Sequence, residues 1–190
     1  MTAVIAQGAE AGGHHGVFLK DWREPGGMIG TIALVPQVVD AVKIPVIAAG
    51  GIADGRGIAA AIALGASAVQ IGTAYLQCPE SAASALYRAA LAKANPSDTA
   101  MTNVITGRPA RGLLTRMIRE LGPIAAGVPE FPLGTAASQP LRRAAEAMGS
   151  TDYSPLWSGQ HLRSAHAMPA AELTRQLAGE ADAAMKKLGS

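Results

Sequence analysis

Three short apolar runs, residues 3–8, 44–51 and 68–72, each end in a glycine-bearing loop and lack helical periodicity. Runs of that length, rich in Val, Ile and Ala, read as strands buried on both faces, the pattern of a parallel sheet. The segments between them follow the other period. Val35, Val38, Val39 and Val42 form an i, i+3, i+4, i+7 stripe, with Pro36 tolerable in its first turn. Residues 56–64 are bracketed by Asp54 as a helix N-cap and Gly65 as a C-terminal stop. Strand, helix, strand, helix, strand with short links predicts an α/β fold with right-handed crossovers. A further helix is expected over residues 80–94, where Asn95-Pro96 breaks it.

Beyond Pro96 the pattern changes. Pro109, Pro123, Pro129, Pro132 and Pro140 punctuate residues 96–145, which read as irregular with short helical pieces such as 113–121. The tail, residues 170–188, is an amphipathic helix with Leu173, Leu177, Ala181, Ala184 and Leu188 on one side. Two parts are therefore expected: residues 1–95, with the sheet and its helices, and residues 96–190, a helical and irregular region packed on them. Val4-Ile5-Ala6 follows Met1 almost directly, and three strands cannot close a barrel, so the chain is expected to begin in mid-fold.

Composition removes several function classes. An apolar fraction of 49% against 16% charged residues argues for a packed core rather than disorder. Sixteen basic against fourteen acidic residues leave no electrostatic footprint for nucleic acid. No apolar run is long enough to span a membrane, and the first basic residue is Lys20, so no secretory start is expected. Cys78 stands alone, which excludes an internal disulfide and a cysteine zinc site and makes a reducing cytoplasm the default. It reads as buried filler. His161 and His166 share no helical face, so no metal site is expected.

Chemistry is concentrated at the strand ends. The second strand runs into Gly50-Gly51-Ile52-Ala53-Asp54 and the third into Gln70-Ile71-Gly72-Thr73. Parallel α/β proteins place ligands at that edge, and glycine lets backbone N–H groups approach an anion. Two successive strands ending this way match the phosphate site of a (β/α)8 barrel, whereas one Gly-Gly alone would read as a tight turn. Gly55-Arg56-Gly57-Ile58-Ala59-Ala60 fits G-x-G-x-x-A, but the next strand ends in Gln70 and Gly72 rather than an acid, so the match is incidental. The first strand leads into Gln7-Gly8-Ala9-Glu10-Ala11-Gly12-Gly13-His14-His15-Gly16, with four glycines in its last nine residues. A histidine there can take a proton from a substrate carbon or donate to its oxyanion. The spacing alone equally accommodates a surface histidine pair or a histidine held by Glu10.

Taken in order, these segments carry a resemblance. Gln7 to Gly16, Val35-Pro36-Gln37-Val38, residues 44–57, Gln70 to Thr73, Gly107-Arg108-Pro109-Ala110-Arg111, Pro132-Leu133 and Leu156-Trp157-Ser158-Gly159-Gln160 resemble the nitronate monooxygenase family. The resemblance implies the C-terminal portion of an FMN-binding TIM barrel with additional C-terminal helices and its first strands missing. The activity implied is oxidation of alkyl nitronates by O2 to carbonyl compounds and nitrite. By that resemblance His14 is the catalytic base and His15 has no role. Gln7, Gly12 and Gly13 lie against the flavin, while Gly50, Gly51 and the backbone of Gln70, Ile71, Gly72 and Thr73 hold the FMN phosphate. Phe131 stands where many relatives are expected to have tyrosine. Arg108 and Arg111 either approach an anionic ligand or pin their loop, and Trp157 reads as an anchor for the C-terminal region. The implied partners are a small nitronate or nitroalkane and O2, with a missing N-terminal half or a second copy of the chain. Two alternatives are an FMN-dependent enoyl-acyl-carrier-protein reductase using NAD(P)H, with similar loops over residues 10–14 and 44–73, and an inactive remnant serving as a subunit. Residues 107–111 and 156–160 rank the monooxygenase first.

Overall fold

A computed structural model describes residues 2–17, 28–162 and 167–189. In chain order the elements are β1 (Val4–Gln7), β2 (Gly13–His14), α1 (Thr31–Ala41), β3 (Val46–Ala49), α2 (Gly55–Ala63) and β4 (Ala68–Gln70). They continue with α3 (Ala85–Lys93), β5 (Thr99–Thr102), β6 (Ala110–Leu113), α4 (Arg116–Leu121), α5 (Leu133–Ala147) and α6 (Ala170–Leu188). The expected βαβαβ unit is present: β1, β3 and β4 form a parallel sheet in that order, with Val4 opposite Val46 and Ile47 opposite Ala68.

One face of this sheet makes the core. Ala6, Val46 and Ala48 pack against Val35 of α1 and Ala61 of α2. The other face is open, with Ile5 49% exposed and Ala68 and Gln70 exposed beside it. Burial on both faces, expected from the apolar runs, is thus met on the helix side alone, because α1 and α2 cover the same face.

Local signals set some boundaries and tertiary contacts set others. Asp54 caps α2, its Oδ1 accepting from the Gly57 N–H at 2.9 Å. An Asp54→Ala protein is expected to lose about 1 kcal/mol of stability, read by chemical denaturation. The Arg56 ion pair adds little to that figure, because the Arg56 side chain is 86% exposed. By contrast α1 begins at Thr31, four residues before the apolar stripe, so Pro36 lies inside it rather than in its first turn. The carbonyl left without a donor belongs to Ile32, whose residue is 74% exposed and therefore open to water. Helix α3 starts at Ala85 rather than at residue 80. Arg88 takes the preceding carbonyls out of helical use, donating to Cys78, Ser81 and Ala83. Cys78 is buried at 1% exposure.

Residues 96–145 are more regular than expected. Strands β5 and β6 pair antiparallel, Thr99 opposite Leu113, and β2 joins them with His14 opposite Ala110. Helix α5 runs for 15 residues with Pro140 inside it, and the carbonyl Pro140 leaves unpaired is that of exposed Ala136. The helix expected over 113–121 begins at Arg116, because Leu113 belongs to β6. Helix α6 packs on α2, with Glu180 and Ala181 against Gly55, and its Leu173 and Leu177 cluster with Ala53, Ala74 and Cys78, whereas Leu188 is 74% exposed. Among the described residues no helix is long and apolar enough to cross a membrane.

Candidate active site

The C-terminal ends of β1, β3 and β4 open onto a cavity of about 350 Å³. Gln7, Gly12, Gly13, Gly50, Gly51, Gln70, Gly72 and Thr73 all line it, so folding brings together eight of the nine residues expected around the cofactor. Ile71 is the ninth; the expectation concerns its backbone, and its side chain packs against the core. Gly50 and Gly51 adopt φ of +117° and +69°, a region that side chains disfavour. Their turn leaves the Gly51 N–H, like that of Gly72, without an acceptor among the described residues. A Cβ on Gly72 or Gly13 would meet nothing within 4 Å. Unpaired N–H groups around an empty volume free of side chains suit an anionic oxygen cluster such as a phosphate.

The cavity's remaining wall comes from parts of the chain that sequence reasoning did not place there. Gly159 donates its N–H to Thr73 Oγ1 at 2.9 Å, docking residues 156–160 against the third strand's loop. This docking brings Trp157 to the cavity, where it lies with Leu76, Tyr87 and His161. Trp157 also anchors its segment as expected, through a bridge to Gly112 and a carbonyl that accepts from the Tyr87 hydroxyl. Burial raises the Tyr87 pKa, so that phenol remains a donor rather than an acid. His161 Nδ1 lies 3.1 Å from the Gly51 carbonyl, which ties the C-terminal region to the glycine turn. A polar residue directly after Gly159-Gln160 was the available signal for it.

His14 follows the lining residue Gly13 but is not itself among the residues that line the cavity, and it is exposed. Gln7 clamps its strand: the side-chain amide donates to the His14 carbonyl at 2.9 Å and accepts from the Gly16 N–H at 3.1 Å. The imidazole lies 5.6 Å from the Phe131 ring and 5.3 Å from the Trp157 ring, centre to centre. Its Nε2 is 3.0 Å from Thr106 Oγ1. Burial, and then the positive charge of Arg108, hold the His14 pKa below the ordinary histidine value, so the ring is neutral at pH 7. His15 turns the other way, 4% exposed, with Nε2 on the Ala11 carbonyl.

Glu10 holds neither histidine by a hydrogen bond; its carboxylate accepts from Thr31 N and Thr31 Oγ1 at 2.9 and 2.8 Å and so caps α1. Both arginines pin loops. Arg108 donates to the Val17 carbonyl and covers Phe131, while Arg111 donates to the Ala9 carbonyl at 2.8 Å and to Thr99 Oγ1. Among the described residues no group of three His, Cys, Asp or Glu side chains could hold a metal, and His166 lies outside them.

Comparison with known proteins gives this geometry a context. A family model described as nitronate monooxygenase matches residues 1–180. A probable nitronate monooxygenase of Staphylococcus saprophyticus is 43% identical over 187 residues, covering 98% of this chain and 53% of the relative. Another from Staphylococcus aureus is 46% identical over 170 residues, covering 90% of this chain and 48% of the relative. The chain thus spans about half the length of the curated relatives it matches. Among solved structures, a nitroalkane oxidase from Streptomyces ansochromogenes superposes with a TM-score of 0.87 at 43% identity, over 98% of this chain and 53% of that one. FabK from Thermotoga maritima gives 0.74 at 33% identity, over 98% and 56% of the two chains.

Proposed function

Because the chain belongs to the nitronate monooxygenase family, we propose that it forms the FMN-phosphate site and the catalytic-histidine edge of a (β/α)8 barrel that oxidises alkyl nitronates with O2 to carbonyl compounds and nitrite. The observation that carries the reading is a glycine-lined cavity at the strand ends with His14 one residue beyond the lining Gly13 and 5.3 Å, ring centre to ring centre, from the lining Trp157. The residues present fit the cofactor. The turn at Gly50 and Gly51 and the open space at Gly72 would take the phosphate, and the wall of Leu76, Tyr87 and Trp157 offers apolar surface to a flat ring. FMN, when bound, supplies the capacity to accept electrons from the substrate and pass them to O2.

The protein's own part is placement and one proton. A neutral His14 is the base for the α-carbon proton of a neutral nitroalkane. A nitronate that arrives already deprotonated needs no base, and the nearby Arg108 charge favours its anion. Gln7 keeps the loop that carries His14 in register with the cavity. Residues 96–190 contribute Thr106, Phe131 and Trp157, so the two parts of the chain share one site.

Titration of the purified protein with FMN, followed by visible absorption, is expected to give a structured flavin band saturating at one equivalent. Nitrite release from nitroalkane anions is expected to follow. Rapid anaerobic bleaching by NADH without nitrite release would overturn the reading in favour of the reductase.

A further inference from the structure

We propose that Thr106 is a positioning residue for His14, whose hydroxyl keeps the imidazole proton on Nε2 and leaves Nδ1 as the basic nitrogen. The inference rests on the reading of His14 as the base and adds to it which nitrogen acts and what selects it.

A threonine hydroxyl has one proton to donate and two lone pairs to accept with. Around Thr106 Oγ1 lie three groups: the Arg108 carbonyl at 3.2 Å, the Arg108 N–H at 3.3 Å and His14 Nε2 at 3.0 Å. A carbonyl accepts and never donates, so the hydroxyl proton belongs to Arg108 O. A backbone N–H donates and never accepts, so it takes one lone pair. The lone pair that remains faces His14 Nε2, and a hydrogen bond forms there when that nitrogen carries a proton. Every valence of the hydroxyl is then used. The opposite tautomer would set two lone pairs against each other, or withdraw the hydroxyl proton from Arg108 O.

The hydroxyl cannot drift to suit either form. Thr106 is 6% exposed in the β5–β6 connection, and the Gly107 N–H donates to the Asn103 carbonyl at 2.8 Å. The Asn103 side chain is itself bound at both ends to the Ala125 backbone, each bond 2.9 Å. Gly134 closes the other side, where a Cβ would come within 2.8 Å of the Thr106 carbonyl carbon. His14 Nδ1 has no hydrogen-bond partner among the described residues, which leaves it available to a substrate proton. Burial and the Arg108 charge keep the ring neutral, the state in which the choice of tautomer matters.

The test is long-range proton–nitrogen NMR on protein labelled with 15N-histidine, with His14 assigned by the signals lost in His14→Gln. Wild type is expected to give the pattern of the Nε2–H tautomer for His14. Thr106→Val, close in shape but without the hydroxyl, is expected to give a mixture, and Thr106→Ser to restore the single form. Turnover of a neutral nitroalkane is expected to fall about tenfold in Thr106→Val and recover in Thr106→Ser. A wild-type His14 protonated on Nδ1, or a ring pattern unchanged by Thr106→Val, overturns the proposal. An unchanged rate in His14→Gln would instead remove the base reading, and the NMR assignment tells the two failures apart.

Discussion

A His14→Gln protein turns over a neutral nitroalkane about 10²–10⁴ times more slowly than wild type, the usual effect of losing a positioned general base. The phosphate end of the FMN site is left intact, because the imidazole touches Thr106, Phe131 and Trp157 rather than the glycine turn. Glutamine keeps an N–H for Thr106 and loses only the basic nitrogen. The pH profile carries a second signature. Since burial and then the Arg108 charge lower the His14 pKa, the basic form accumulates as pH rises through that lowered value, and the wild-type rate climbs with it to a plateau. In His14→Gln that acidic limb is gone. Neutralising Arg108, as in Arg108→Met, removes a charge that opposes imidazolium and moves the limb toward higher pH. Equal rates for wild type and His14→Gln on the neutral substrate, measured by nitrite release, would show that the protein takes up substrate already ionised.

The parallel unit was readable because its signals are local. Apolar period, the Asp54 cap and the Gly65 stop each act within a few residues of the element they define. The start of α1 was not readable, since its cap is the carboxylate of Glu10, 21 residues earlier in the chain. The β5–β6 pair was hidden for another reason. Four-residue strands such as Thr99–Thr102 carry too few alternations to stand out, and the prolines around them suggest irregularity. The site divides along the same line. Glycine-rich strand ends announce a ligand edge, and the family resemblance supplied the individual residues on it. Thr106 reaches His14 across 92 positions, Gly159 reaches Thr73 across 86 and His161 reaches Gly51 across 110. No spacing rule encodes such pairs; tertiary packing makes them. Thr106 shows the cost of that blindness, because an isolated threonine has no motif and acquires a role only from what folding sets around its hydroxyl.

Gly72→Leu and Gly12→Ala separate two uses of glycine around one cavity, and stability is expected to tell them apart. Gly72 has φ −109° and ψ −66°, which a side chain tolerates, and a Cβ there meets nothing within 4 Å. The leucine therefore costs the fold less than about 0.5 kcal/mol, as surface changes do, while filling volume that the cofactor phosphate would take. FMN affinity is expected to fall by about tenfold or more, equivalent to about 1.4 kcal/mol. Gly12 is the reverse case. A Cβ there would stand 2.5 Å from the Gly159 nitrogen and 2.6 Å from the Ser158 carbonyl carbon, both backbone atoms that no rotamer can move. Relief requires residues 156–160 to retreat, breaking the Gly159–Thr73 bond and pulling Trp157 from the wall, at about 1–3 kcal/mol for overpacking. Denaturant unfolding paired with flavin titration reads both quantities. In Gly72→Leu affinity falls and stability holds; in Gly12→Ala both fall together. Wild-type FMN affinity in Gly72→Leu would mean that the phosphate binds away from the third strand's loop, and that the empty space at Gly72 serves some other ligand.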